Sequence, residues 1–269
     1  MDFAPRIGHI DCMFERIFGR PRKPAANAAR VPEGSRVYAI GDIHGRLDLL
    51  RRLHGMIGED AASFAGPRKV LVYLGDYVDR GLQSRETVDY LLEDPLPGFE
   101  RVFLMGNHER ALLDFLADSR VALDWMTYGG DATLYSYGVG LEGPRSQPAT
   151  LARAQEKFRA NLPDSHFAFY QGLGLLHAEG DYIFVHAGLR PGVPIERQQE
   201  RDVLWIRDEF LDSSEDYGKV VVHGHTITRM PEVKKNRIAI DTGAFASGKL
   251  TALVLEGSDG RFLDTAASR

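Results

Sequence analysis

The sequence predicts an α/β fold built on a mixed sheet, and three observations carry that prediction. Apolar runs of strand type at residues 36–40, 70–74 and 102–105 are each followed by a polar turn and then by an apolar pattern of helical period. Strand–helix alternation of this kind packs helices onto a parallel or mixed sheet. The turns themselves read Gly41-Asp42-Ile43-His44-Gly45, Gly75-Asp76-Tyr77-Val78-Asp79-Arg80-Gly81 and Gly106-Asn107-His108-Glu109. Side chains just past the carboxyl ends of strands in an open α/β sheet converge on one crevice. Asp42, His44, Asp76, Asn107 and His108 are therefore expected together.

Taken in order, residues 1–34 stand apart as an N-terminal extension and linker. Residues 21–30 mix Pro, Ala and basic side chains, as linkers do. Before them Ile7, Ile10, Phe14, Ile17 and Phe18 follow approximate helical spacing. The main domain is expected over 35–257, with 258–269 as a C-terminal tail. Behind the first turn, Leu47, Leu49, Leu50, Leu53, Met56 and Ile57 form a helical face. Behind the second, Ser84 is the expected N-cap of a helix carrying Val88, Leu91 and Leu92. Ala111, Leu112, Phe115 and Leu116 give a third helix.

Residues 119–180 break this rhythm. A Gly-rich stretch around Tyr128-Gly129-Gly130-Asp131 precedes helical patterns over 150–161 and 163–171. The segment reads as a helical insertion covering one side of the crevice, with Trp125, Tyr128, Tyr135 and Tyr137 packing it, since aromatic rings bury well. Strand patterns resume at 182–185, 219–222, 237–240 and 250–255 with little helix between them. They predict a second, partly antiparallel sheet.

The 269 residues fit one large domain or two small ones, and an apolar fraction of 43% with 26% charged residues is that of an ordinary soluble globular protein. A net charge of −5 argues against nucleic acid as a partner. Cys12 is the only cysteine, which excludes a disulfide framework and a thiolate zinc site. No run approaches the roughly 20 apolar residues of a membrane span. The expectation is a soluble cytoplasmic protein without a nucleic-acid partner or a membrane span.

Two later histidines share the setting of the early turns. His186 ends the 182–185 run before Ala187-Gly188, and His225 follows Gly224 after the 219–222 run. Oxygen and imidazole donors without thiolate suit Mn, Fe or Zn, and the cluster holds enough of them for two ions. The residues thus point to a dinuclear metal site that hydrolyses a phosphate ester. His223, inside the strand, is read as packing or as support for a ligand. Gly138 to Gly143 fits a dinucleotide pattern, but Pro144 follows and no helix opens there.

The ordered series Gly-Asp-Ile-His-Gly, Gly-Asp-Tyr-Val-Asp-Arg-Gly, Gly-Asn-His-Glu, His-Ala-Gly and Gly-His-Thr resembles the phosphoprotein phosphatase family, over about residues 35–257. Within that metallophosphoesterase group, which includes serine/threonine protein phosphatases and symmetrical diadenosine tetraphosphatases, the chain is most similar to the bacterial and phage branch. The resemblance implies a calcineurin-like α/β/β/α fold, two mixed β-sheets sandwiched between helices. It implies that Asp42, His44 and Asp76 hold one metal, and Asp76, Asn107, His186 and His225 the other. Manganese is the expected ion, with iron or zinc as alternatives. A bridging Asp76 agrees with chemistry, because a carboxylate has two oxygens to span ions about 3.5–4 Å apart.

The resemblance further implies that His108 is the general acid, oriented by Asp79. Arg80 and Arg207, with Asn107, would hold the substrate phosphate, for which guanidinium forks are well shaped. The expected reaction is in-line attack by a hydroxide shared between the metals on a phosphorylated protein or small phosphoester, as in a serine/threonine or dual-specificity protein phosphatase. The alternative is a symmetrical diadenosine tetraphosphatase-type dinucleoside polyphosphate hydrolase. A scaffold that only binds phosphorylated partners is disfavoured, since each position the chemistry needs carries a competent residue. After Asp241 the chain runs Thr-Gly-Ala-Phe-Ala-Ser-Gly-Lys, with no counterpart to the tyrosine-bearing loop of the eukaryotic enzymes.

Overall fold

Every strand that begins a motif is apolar at consecutive positions, so both of its faces must be covered. The structure, a computed structural model, describes residues 29–266 and meets that requirement with two stacked sheets. The helical spacing read over 7–18 lies outside the described residues. The first sheet contains β1 (Ser35–Ile40), β2 (Arg68–Tyr73), β3 (Glu100–Phe103), β9 (Thr251–Glu256) and β10 (Asp259–Asp264). Its order is β10-β9-β1-β2-β3, with β1, β2 and β3 parallel and β9 and β10 antiparallel. The second contains β4 (Leu176–Glu179), β5 (Tyr182–Val185), β6 (Val220–His223), β7 (Glu232–Val233) and β8 (Arg237–Ala239). It runs β4-β5-β6-β8-β7, parallel at its centre with antiparallel edges.

Side chains alternate faces along a strand, and the two faces serve different layers here. Val37, Ala39, Val70, Val72 and Leu74 meet Phe184, Val222, Ile238, Ile240, Leu253 and Leu255 in one apolar layer between the sheets. The opposite faces place Tyr38, Ile40, Leu71, Tyr73, Ile183, Val185 and Val221 in the larger core that includes helix residues. Among these helices are α1 (Leu47–Ala62), α2 (Ser84–Leu92) and α3 (Asn107–Ala117). The helix–sheet–sheet–helix order is the expected one, and it aims the carboxyl ends of β1, β2, β3, β5 and β6 at one rim.

The helical insertion is present as α4 (Ala122–Thr127), α5 (Gly130–Ser136), α6 (Pro148–Asn161) and α7 (Asp164–Gln171). Three expectations are corrected. The expected C-terminal tail is not plain where it is described, because β10 pairs along β9; its polar, mostly exposed residues Asp259, Gly260 and Arg261 carry no strand signal. Ser84 is not an N-cap: Gln83 stands at that position without a side-chain bond, and the buried Ser84 hydroxyl accepts from Asp79 N–H at 3.1 Å. Trp125 and Tyr137 are buried as expected, but Tyr128 and Tyr135 are exposed. No helix among the described residues is long and apolar enough to cross a membrane.

Candidate metal centre

Each strand ends where its turn must deliver a polar side chain inward. Five of the six non-glycine residues with left-handed φ among the described residues belong to these turns: His44 (49°), Asp76 (53°), Asp79 (71°), Arg80 (67°) and His225 (62°). Such conformations are strained and collect at functional sites. At Gly224 the backbone presses on Asp42, where a Cβ would come within 2.1 Å of Oδ1.

The turns converge on Asp76. Its Oδ2 lies 3.5 Å from His44 Nε2, 3.5 Å from His186 Nε2 and 3.8 Å from His108 Nε2. Two buried sets have potential ligand atoms all within 4.8 Å of one another: His44, Asp76 and His108, and Asp76, His186 and His225. Asp76 is common to both. Asn107 Oδ1 sits 2.9 Å from His186 Nε2 and 2.8 Å from His225 Nδ1.

The protonation of these donors shows that cations fit. His186 Nδ1 donates to the Leu74 carbonyl at 2.8 Å, and His44 Nδ1 to the Val78 carbonyl at 2.9 Å. A carbonyl only accepts, so both Nδ1 atoms carry hydrogen. Burial lowers the pKa of His44 to about 3, and it lowers those of His186 and His225 as well. The neutral rings then turn Nε2 lone pairs inward. At His186 that lone pair faces the Asn107 carbonyl oxygen, an electron pair against an electron pair unless a cation lies between. His225 Nε2 is buried without a hydrogen-bond partner. A histidine anchored through one nitrogen to a carbonyl, with the other aimed at shared oxygens, is the usual arrangement of a metal ligand.

Charge leads to the same conclusion. Asp42, Asp76 and Asp241 are all buried here. Burial, then Asp241 and Asp76, push the Asp42 carboxyl well above its usual range. Burial would raise Asp76 too, but His186, His108, His44 and His225 hold it below its usual value. A divalent cation would offset this accumulated negative charge.

His108 differs from the other three histidines. Burial would lower its pKa, but Asp76 and the hydrogen bond to Asp79 raise it above the ordinary value. Its Nδ1 lies 2.7 Å from Asp79 Oδ2. It is the one ring of the four whose surroundings favour the protonated form.

Arg80 Nη1 reaches His44 Nε2 at 3.1 Å, and its guanidinium lies 4.5 Å over the Phe245 ring. Arg207 is exposed at the rim, bonded to Thr226 Oγ1 at 3.1 Å. Of the sequence-expected residues, Asp42 falls outside both close sets. Its two oxygens accept the His225 N–H at 3.2 and 3.0 Å. Asp241 accepts from Gly243 N–H at 2.8 Å and faces Asp42. His223 packs edge-on against Phe210 and touches Arg237.

Sequence reasoning passed over Glu109. Its carboxylate accepts the N–H groups of Asp76 (2.9 Å), Tyr77 (2.8 Å), Val78 (3.2 Å) and Gly106 (3.0 Å), clamping the second turn to the third. Its place at the third position of α3 is that of a capping-box acid, which was the available signal. Trp125 and Thr133 were also missed, and both bond Asp79.

Comparison with known proteins agrees with this geometry. The calcineurin-like phosphoesterase family matches residues 35–242. A Bis(5'-nucleosyl)-tetraphosphatase PrpE [asymmetrical] of Anoxybacillus flavithermus is 26% identical over 80% of this chain and 88% of its own length. Serine/threonine-protein phosphatase 2 of Salmonella typhimurium is 27% identical over 80% of this chain and 90% of its own. The crystal structure of a candidate diadenosine tetraphosphatase superposes with a TM-score of 0.58 at 23% identity, covering 90% of this chain and 100% of that one.

Proposed function

The chain belongs to the calcineurin-like phosphoesterase family, and on that premise we propose that it hydrolyses phosphomonoesters as a protein phosphatase of the serine/threonine type. Metal-dependent phosphoester hydrolysis follows from the family; the substrate class and the residue roles are the proposal. Its main support is geometric: two buried donor sets share Asp76, and beside them His108 Nδ1 is held by Asp79 Oδ2 at 2.7 Å.

In this reading His44 and Asp76, with Asp42, would hold one divalent ion, and Asp76, Asn107, His186 and His225 the other, manganese being the first choice. When bound, such ions acidify water and polarise phosphoryl oxygens. Arg80 grips the equatorial oxygens with its planar fork, and Arg207 meets the phosphate from the rim. Asp79 fixes Nδ1 of His108, so Nε2 presents its proton to the leaving oxygen opposite the attacking water. Burial of the aspartates and histidines strengthens the charge interactions among them.

A second reading, a dinucleoside polyphosphate hydrolase, draws on a relative of that name and would use two exposed rings, Tyr128 (41%) and Trp205 (39%), to meet a base. Tyr128 lies 6.1 Å from His108 and Trp205 6.3 Å from His225. Their own centroids are 5.8 Å apart and tilted by 58°. The rings therefore touch as one wall instead of opening a slot, which suits a single group leaning on them better than a clamped base.

The test strips the protein with chelator and returns Mn, Zn, Fe or Mg singly, comparing a phosphoserine peptide with diadenosine tetraphosphate. Activity that survives chelation overturns the metal assignment, and preference for the dinucleotide promotes the second reading. His108→Asn should lower kcat by about 10²–10⁴-fold with metal content intact. A loss confined to KM would contradict its role as acid.

A further inference from the structure

Asp79 has more partners than one histidine requires. Its Oδ2 receives His108 Nδ1 at 2.7 Å and the indole N–H of Trp125 at 2.8 Å. Its Oδ1 accepts from the Thr133 hydroxyl at 2.6 Å. Its backbone N–H points to Thr133 Oγ1 (2.9 Å) and Ser84 Oγ (3.1 Å). The next residue, Arg80, donates its N–H to the Gly129 carbonyl at 3.1 Å. Asp79 and Arg80 are consecutive left-handed residues, a conformation that persists only where neighbours over-determine it. Apart from Ser84 and His108, all of those neighbours come from the helical insertion.

The glycine pair explains how they come so close. A Cβ on Gly129 would lie 2.8 Å from Arg80 N, and one on Gly130 would lie 2.4 Å from the Trp125 ring. Phe115 and Phe158 hold that ring from its other sides, with centroids 4.8 and 6.1 Å away. The Gly-rich stretch thus seats the indole on one side and the strained turn on the other.

We propose that the insertion is part of the proton-donating machinery: Trp125 and Thr133 are positioning residues that hold the Asp79 carboxylate, and through it His108, in the geometry for protonating the leaving group. The inference rests on the reading of His108 as acid. The step served is transfer of the His108 Nε2 proton to the leaving oxygen as the P–O bond breaks, with that bond's electron pair staying on the oxygen. Without the Trp125 and Thr133 bonds the carboxylate can rotate, and His108 loses its fixed direction. Because Arg80 is held from the same segment, the acid and the phosphate grip are set by one support.

Leaving-group dependence tests this, because an alkyl alkoxide needs the proton far more than a nitrophenolate does. Trp125→Phe and Thr133→Val, in the full chain reconstituted with manganese, are compared on an alkyl phosphate and on para-nitrophenyl phosphate. The expected result is a fall in kcat of about 10–100-fold on the alkyl ester and under about 3-fold on the aryl ester, a share of what a general acid contributes. Thr133→Ser should restore the wild-type ratio. Ile57→Ala, a buried core change in α1 outside these contacts, should lower Tm and leave the ratio alone. Equal losses on both esters, or none, overturn the proposal, and the Thr133 pair decides it should Trp125→Phe fail to fold. His108→Asn is run alongside: if it shows no leaving-group discrimination, the acid reading falls and takes this inference with it. If it discriminates and the positioning variants do not, only this inference falls.

Discussion

Glu109→Gln probes the clamp beneath the site. The carboxylate takes two N–H groups on each oxygen, Tyr77 and Val78 on Oε1, Asp76 and Gly106 on Oε2. An amide has one acceptor oxygen, so in either orientation two buried N–H groups lose their partner and meet another donor. Each such loss costs about 1–3 kcal/mol, or about 2–6 kcal/mol together. Part of this is offset because burial and the nearby Asp76 already disfavour the ionised form of the Glu109 carboxyl, a cost that the amide does not carry. A net destabilisation of about 3 kcal/mol remains, corresponding to a Tm lower by about 6–12 °C in a chain of this size. Differential scanning calorimetry on the metal-stripped protein measures it without contribution from bound ions. A Tm within about 2 °C of wild type would show that the turns hold their left-handed residues without the clamp, and the argument from bond counting would be wrong.

Two further outcomes follow from other contacts. Glu179 takes a two-pronged bond from Arg68 at 2.7 and 2.8 Å; burial would raise its pKa, but Arg68 and His177 lower it to about 2. Being depressed in the folded state, it stabilises fully above pH 4.5, and that contribution, about 2 kcal/mol after allowing for the partly exposed Arg68, is lost as pH falls toward 2. Glu179→Gln should flatten stability measured by urea unfolding across that window, and an unchanged slope would refute the assignment. Phe245→Leu removes the ring under Arg80, an interaction of about 0.5–2 kcal/mol. KM for a phosphomonoester should rise by about 2–30-fold with kcat little changed, and a purely kcat effect would contradict the gripping role.

The parts legible in the sequence were those where chemistry and local period coincide. Turns after apolar runs announced Asp42, His44, Asp76, Asn107, His186 and His225, and the run at 182–185 matches β5 residue for residue. What stayed hidden is non-local. Trp125 and Thr133 reach Asp79 across 46 and 54 positions, and no pattern within a helix encodes such a bond. Ser84 reads as a cap because serine usually caps, yet here its hydroxyl answers a strained turn five residues back. The edge strands β4, β7 and β10 take their pairing from a neighbour, not from their own residues. Backbone strain at His44, Asp76 and His225 is equally silent, since these residue types usually adopt other conformations.

The apolar layer between the two sheets has a consequence beyond stability. One sheet presents Asp42, His44, Asp76 and Asn107, the other His186 and His225, so the donor set proposed for the second ion is complete only when both halves of the chain meet. Coordination lengths tolerate shifts of only about 0.2 Å, whereas side-chain substitutions in a packed interior readily move a neighbouring layer. The methyl groups of Val72, Val222 and Leu253 therefore act as spacers that calibrate the gap across which the two donor sets face each other. Metal affinity becomes a readout of how those distant, chemically inert side chains fit together.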